Sequence, residues 1–242
     1  MRLHLRTRVE AWRGSGTWLE AVAPLDVAPE RLAVCLCDLW DDHWCRGAAH
    51  RVEAMAPDVE RVLSALRERG AHIIHAPSDT MAFYAGHPAR AHARSVPRRE
   101  PPPPLSLADP PLPVDASDGG CDSGEAPWHR AWTRQHPAVR IADADYISDD
   151  GAEVYAILGA VGAEHLVVLG VHTNMCILDR SFAIRQMSRW GVRCILVRDL
   201  TDAMYNPARP PHVPHARGTE LVVEHIERHW CPSVESSDLA PA

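Results

Sequence analysis

The sequence predicts a three-layer α/β/α domain around a central, mainly parallel sheet, Rossmann-like in plan. Three observations carry this expectation. Short continuous apolar runs recur at residues 32–37, 71–75, 166–169 and 193–198, as in strands covered on both faces. Between them, apolar residues return at three- and four-residue steps, the period of helices with one buried face. Strand and helix alternate along most of the chain, which requires a parallel sheet with helices on both sides. With 242 residues, 46% of them hydrophobic, there is enough apolar material for one substantial core. Residues 1–242 therefore read as a single domain.

Taken in order, residues 1–30 form an accessory edge hairpin. Residues 3–9 alternate like a strand, Gly14-Ser15-Gly16 signals a turn, and residues 18–22 pair back. The first core strand, residues 32–37, ends at Asp38. The polar and aromatic residues 39–45, among them Trp40, His43 and Trp44, line a cleft mouth. A helix follows with Val52, Met55, Val59, Val62, Leu63 and Leu66 on its inner face, and Gly70 stops it. Pro57 must kink that helix or open its second part. The next strand, residues 71–75, ends at His75.

Residues 88–127 are rich in proline and glycine and are unsuited to a regular helix or a central strand. They read as a long lid loop over the cleft, with an interdomain spacer as the alternative. Residues 128–136, with Trp128, Trp132 and Arg134, bring aromatic and cationic groups to the same cleft. A strand is expected near residues 139–141, and a helix over 151–161 with Val154, Ile157, Leu158 and Val161 inward. A strand over 193–198 ends at Asp199. The last helix turns Leu221, Val222, His225 and Ile226 inward.

The formal charge of −7 excludes a nucleic-acid-binding surface, which needs a concentrated basic patch. All basic residues other than histidine are arginine; the chain has no lysine. Seven cysteines, with no CxxC pair, suit a reduced intracellular protein. No apolar stretch approaches membrane-spanning length and no signal peptide is visible, so the expectation is a cytoplasmic protein with no membrane partner.

The segment that organises the rest is residues 165–187, read as a strand, a turn at residues 170–175 and a helix starting near Cys176. That helix buries Ile177, Leu178, Phe182, Ala183 and Met187 and stops at Gly191, with Asp179 and Arg180 on its outer face. Cys176 thus sits in a first helical turn beyond a strand's carboxyl end, where unpaired N–H groups favour a thiolate. Position alone leaves a packed core cysteine open. Parallel sheets bind ligands at the carboxyl ends of their strands, and Asp38, His75, Asp199 and the Cys176 turn all fall at such ends.

The turn Gly170-Val-His-Thr-Asn-Met-Cys176 resembles the signature of the isochorismatase-like cysteine hydrolases, in which a Gly-Val-x-Thr-Asn-x-Cys turn carries the nucleophile. The resemblance is good over residues 32–75 and 152–199. It implies an isochorismatase-like fold, Cys176 as nucleophile and Asp38 as base. It also implies a cis peptide at Val171–His172 and an oxyanion hole from the backbone N–H groups of His172 and Cys176. The implied activity is cleavage of a C–N bond in a small amide through an acyl-cysteine. A non-catalytic, regulatory small-molecule-binding protein is the alternative.

The family's third catalytic residue is a lysine, which this chain lacks. Ser148 or Asp149 aligns near that position. Arg134 is the first choice of substitute, with Arg140, Arg180 and a protonated His75 behind it. His75, Trp40, His43, Thr173, Asn174 and Trp132 are the expected substrate-binding residues. Some nicotinamidase relatives hold zinc through Asp-x-His plus a further His, but here Asp79 is followed at that spacing by Met81. Asp41, Asp42, His43 and His87 lack a matching motif, so neither a metal nor a cofactor is expected. Relatives are commonly oligomeric, which implies a homo-oligomer.

Overall fold

In the computed structural model, which describes residues 1–125 and 129–240, one eight-stranded sheet organises the chain. Its strands are β1 (Arg2–Glu10), β2 (Trp18–Asp26), β3 (Leu32–Cys37), β4 (His72–Ala76), β5 (Tyr146–Ile147), β6 (His165–Val171), β7 (Cys194–Asp202) and β8 (Ser233–Val234). The spatial order is β2-β1-β8-β7-β6-β3-β4-β5. The six strands from β8 to β5 run parallel, while β1 is antiparallel to both β8 and β2.

Alternation along β3 divides the interior. Leu32, Val34 and Leu36 face α1 (Arg46–Glu68), whereas Ala33, Cys35 and Cys37 face the opposite layer. That second layer holds α2 (Pro88–Ser95), α3 (Gly151–Val161), the single turn α4 (Cys176–Asp179), α5 (Ile184–Arg189) and α6 (His215–His229). The last turn, α7 (Ser236–Leu239), lies with α1. Helix α1 runs unbroken through Pro57, whose missing N–H gives up only the bond to the Glu53 carbonyl. Among the described residues no helix is long and apolar enough to cross a membrane.

Five expectations are corrected. The edge strand is β5, at Tyr146–Ile147, and Val139 packs from a loop against the α1 face of the sheet. Strand β7 runs past Asp199 to Asp202, because its register with β6 jumps between Val168, opposite Leu196, and Gly170, opposite Thr201. Asp199 caps α7 instead, accepting bonds from Ser236 N–H at 2.8 Å and Ser236 Oγ at 2.6 Å. The start of the proline-rich segment is helical. Pro88 sits at the first position of α2, where no N–H is needed, and His87 caps it.

The fourth and fifth corrections touch the cleft. The helix expected from Cys176 breaks at Arg180, which is extended (φ −62°, ψ 151°), and resumes at Ile184. The cysteines are not all free: Cys45 and Cys121 form a disulfide across 76 residues, joining the lid loop to the start of α1. Fold topology brings them together, and spacing along the chain gives no hint of it. The lid segment is further held by Leu105 N–H on the Arg189 carbonyl, by Asp109 on Arg185 and Arg189, and by Asp115 on Arg209. Trp128 lies outside the described residues.

Candidate active site

Strand β3 delivers Asp38 in the left-handed region (φ 46°), and β6 delivers the turn to Cys176 beside it, since the two strands are hydrogen-bonded neighbours. The Val171–His172 peptide is cis. Gly170 (φ 109°) passes so close to the Cys37 carbonyl that a Cβ would clash with that backbone, so only glycine fits. The rest of the turn is fastened to β7. Thr173 N–H bonds the Asp202 carbonyl at 2.9 Å, and the Thr173 and Thr201 hydroxyls meet at 2.8 Å. Asn174 copies a strand, donating to the Met204 carbonyl at 2.9 Å and accepting from Met204 N–H at 2.8 Å.

Asp38 is fully buried. Its Oδ1 accepts from Ser78 N–H at 2.7 Å and its Oδ2 from Arg180 Nε at 2.9 Å, and Cys176 lies near enough that each group shifts the other's titration. The second arm of Arg180 reaches Asp79 Oδ2 at 3.0 Å. Burial pushes the Asp38 carboxyl up, and the Arg180 charge opposes it. Burial also pushes the Cys176 thiol well above its ordinary value, reinforced by the Asp38 charge, while Arg180 and the His172 N–H aimed at the sulfur pull it down. The expected stabilised thiolate is thereby corrected. A single helical turn supplies little dipole, and burial beside Asp38 favours the thiol over the thiolate.

The cation of this site is Arg180, and the assignment of that place to Arg134 is corrected. Arg134 is 45% exposed, 3.8 Å from Asp41, with its guanidinium over the Phe83 ring. Arg180 lies four residues after Cys176, the same-face spacing that marks it in the sequence. Breaking the helix there turns its side chain back onto Asp38. Ser148 is buried on Glu153.

Above Cys176 opens a cleft of about 580 Å³. Its walls include Trp40, Trp44, Trp132, Met175 and Met204, with Asp118 and Gly119 contributed by the lid. Trp40 and Trp132 stack at 4.1 Å between centroids, and His43 lies nearly parallel to both. Trp132 is placed by Asp41, whose carboxylate takes Thr133 N–H at 2.8 Å and Arg134 N–H at 3.2 Å. Of the residues expected to face a substrate, Trp40, His43 and Trp132 line the cleft, together with His172. Thr173 and Asn174 do not; they clamp the turn. The lid residues, Met175 and Met204 carried no sequence signal, because their place depends on chain crossings.

His75 is also moved out of the cleft. It is buried with Nε2 3.0 Å from Asp145 Oδ2 and Nδ1 2.9 Å from Gln135 Oε1. Burial raises the Asp145 carboxyl, but bonds from His75 and Arg67 outweigh that and hold it at about 2, below the usual 3.8. The resulting stabilisation is complete above the ordinary carboxyl value and is lost as pH falls through about 2. Asp145→Asn should therefore cost about 2 kcal/mol at pH 7. Denaturant titrations should also show it flattening the loss of stability between those two pH values.

A zinc site of the Asp-x-His kind does not fit these residues. Asp79 is committed to Arg180, the residue two positions on is Met81, and His87 Nδ1 accepts from Ala89 N–H as the cap of α2. Among the described residues the one group with metal-ligand spacing is Cys45, Cys121 and Glu125, whose two sulfurs are joined to each other.

No family model matches the sequence, and no curated protein matches it significantly. Solved structures do resemble the fold. A cysteine hydrolase from Pseudomonas syringae pv. phaseolicola 1448A superposes with a TM-score of 0.57 at 15% identity, covering 88% of this chain and 92% of that one. An isochorismatase from Pseudomonas putida KT2440 gives 0.53 at 14% identity, over 87% and 91%. A pyrazinamidase of Pyrococcus horikoshii, solved in complex with zinc, gives 0.51 at 15% identity, over 85% and 99%. By these superpositions, this chain has the α/β fold of the isochorismatase-like cysteine hydrolases.

Proposed function

We propose that the protein is a cysteine hydrolase that cleaves a C–N bond of a small amide-type compound through an acyl-Cys176 intermediate. The observation that carries this reading is Cys176 delivered by β6 beside the buried Asp38 of the neighbouring β3, whose carboxylate takes Ser78 N–H and Arg180 Nε. In the first step sulfur attacks the carbonyl carbon while Asp38 takes the thiol proton. The developing oxyanion is met by the backbone N–H groups of His172 and Cys176. Collapse breaks the C–N bond, and the amine leaves with the proton held by Asp38. Water then loses a proton to Asp38, attacks the thioester and releases the acid, restoring the thiol.

Arg180 takes the lysine's place in this scheme. It holds Asp38 ionised in a buried setting and orients it through one Nε–H bond, while Asp79 fixes the other end of the fork. The test is intact-protein mass spectrometry after incubation with a panel of small amides, esters and lactams, beside Cys176→Ala. An adduct present in the wild type and absent in the variant is expected, its mass giving the acyl group. Turnover without any Cys176 adduct would overturn the covalent route. Neither adduct nor turnover across a broad panel would favour a binding protein that has lost its chemistry.

A further inference from the structure

We propose that the cleft selects substrates whose acyl portion carries a positive charge and excludes those bearing a carboxylate. The inference rests on the hydrolase reading for the bond cleaved, and on the cleft walls alone for the charge preference. Three indoles, Trp40, Trp44 and Trp132, and the thioethers of Met175 and Met204 make up most of its apolar lining. Indole faces attract cations and repel anions. No arginine lies over Trp40 or Trp44 among the described residues, whereas Trp18, Trp230 and Phe83 all carry one.

The charges point the same way. The one cation in the lining, Arg180, is engaged by Asp38 and Asp79. Asp118, from the lid, accepts from Gly120 N–H and from the Asn206 amide, neither of which neutralises it. Arg130, exposed and outside the lining, donates to the Asp79 carbonyl oxygen. The two imidazoles in the wall add no positive charge. Burial lowers His43 to about 4 and His172 to about 3, so both are neutral near pH 7. His172 Nε2 is buried and without a partner among the described residues, which leaves it for a polar atom of the bound molecule.

Behind the shared wall of Trp40, His43 and His172 lies a second cavity of about 430 Å³. It adds Asp41, Asp42 and Glu53 against Arg46. An acidic surround behind an aromatic wall raises the local concentration of cations and lowers that of anions. A carboxylate in the cleft above Cys176 would lie beside Asp118, and the one arginine of that lining, Arg180, is already paired with Asp38 and Asp79.

Cys176→Ala keeps the cleft but cannot form an acyl-enzyme, so binding is measured apart from chemistry. Three ring amides of matched size serve as probes: benzamide, 3-carbamoyl-1-methylpyridinium and 3-carbamoylbenzoate. Calorimetry, supported by quenching of tryptophan fluorescence, should show the cation binding roughly tenfold tighter than the neutral amide and the anion not saturating. Asp118→Asn in the same background should narrow the gap between cation and neutral probe. Equal binding of all three, preference for the anion, or no binding of any would overturn the proposal. Cation preference in Cys176→Ala with no adduct on the wild type would leave it standing and remove the hydrolase reading instead.

Discussion

Asp38→Asn should cut kcat/KM by about 10²- to 10⁴-fold, the range expected when a positioned base is removed. Asparagine matches the carboxylate in shape and still accepts from Ser78 N–H, so the turn geometry is retained. It cannot take the Cys176 proton. The second signature is in the pH profile. The proposed mechanism needs Asp38 ionised, and burial raises that pKa, so activity is expected to fall as pH drops through it. The variant has no such acid limb. Comparable kcat/KM in both proteins across the pH range would show that another group accepts the proton.

Arg180→Met should be as costly, through both stability and rate. It strands Asp38 as a buried carboxylate with the Ser78 N–H as its remaining hydrogen-bond donor. Breaking a buried ion pair from one side costs several kcal/mol; with Arg180 31% exposed, the low end of about 3 kcal/mol applies. Without the arginine the Asp38 carboxyl rises further, and the acid limb moves to higher pH. Arg180→Lys restores the charge but not the fork to Asp79, so it should recover most of the limb's position and only part of the rate. Arg134→Met, outside the cleft lining, should leave the limb in place. Urea titrations and pH–rate profiles of the three variants settle the assignment. A limb that moves for Arg134→Met and not for Arg180→Met would return the role to Arg134.

How much of this was legible before folding differs from residue to residue. The apolar runs at β3, β4, β6 and β7 appear in the sequence because a strand covered on both faces has no room for polar side chains. The faces of α1, α3 and α6 appear because a helix buries one stripe. Strand ends mark the site for the same reason: a buried run that stops at an aspartate or a Gly-led turn must place that group at the sheet's rim. Strand ends set Asp38 and the Cys176 turn at one rim, and the roles of base and nucleophile come from the resemblance of the Gly170–Cys176 turn.

The tertiary structure decided what depends on contacts between distant segments. Whether a strand-end polar group faces the cleft or a partner is set by what lies across from it. His75 turns to Asp145 and Gln135, and Asn174 turns to Met204, so neither lines the pocket. Arg180 belongs to an outer helical face by period, yet the helix breaks beneath it and the buried charge of Asp38 draws it in. The lid's contribution and the Cys45–Cys121 bridge follow from how residues 96–125 cross the other elements. Local pattern records which face of an element is apolar. It does not record which charges will meet, because that pairing is made only when strands far apart in the chain are laid side by side.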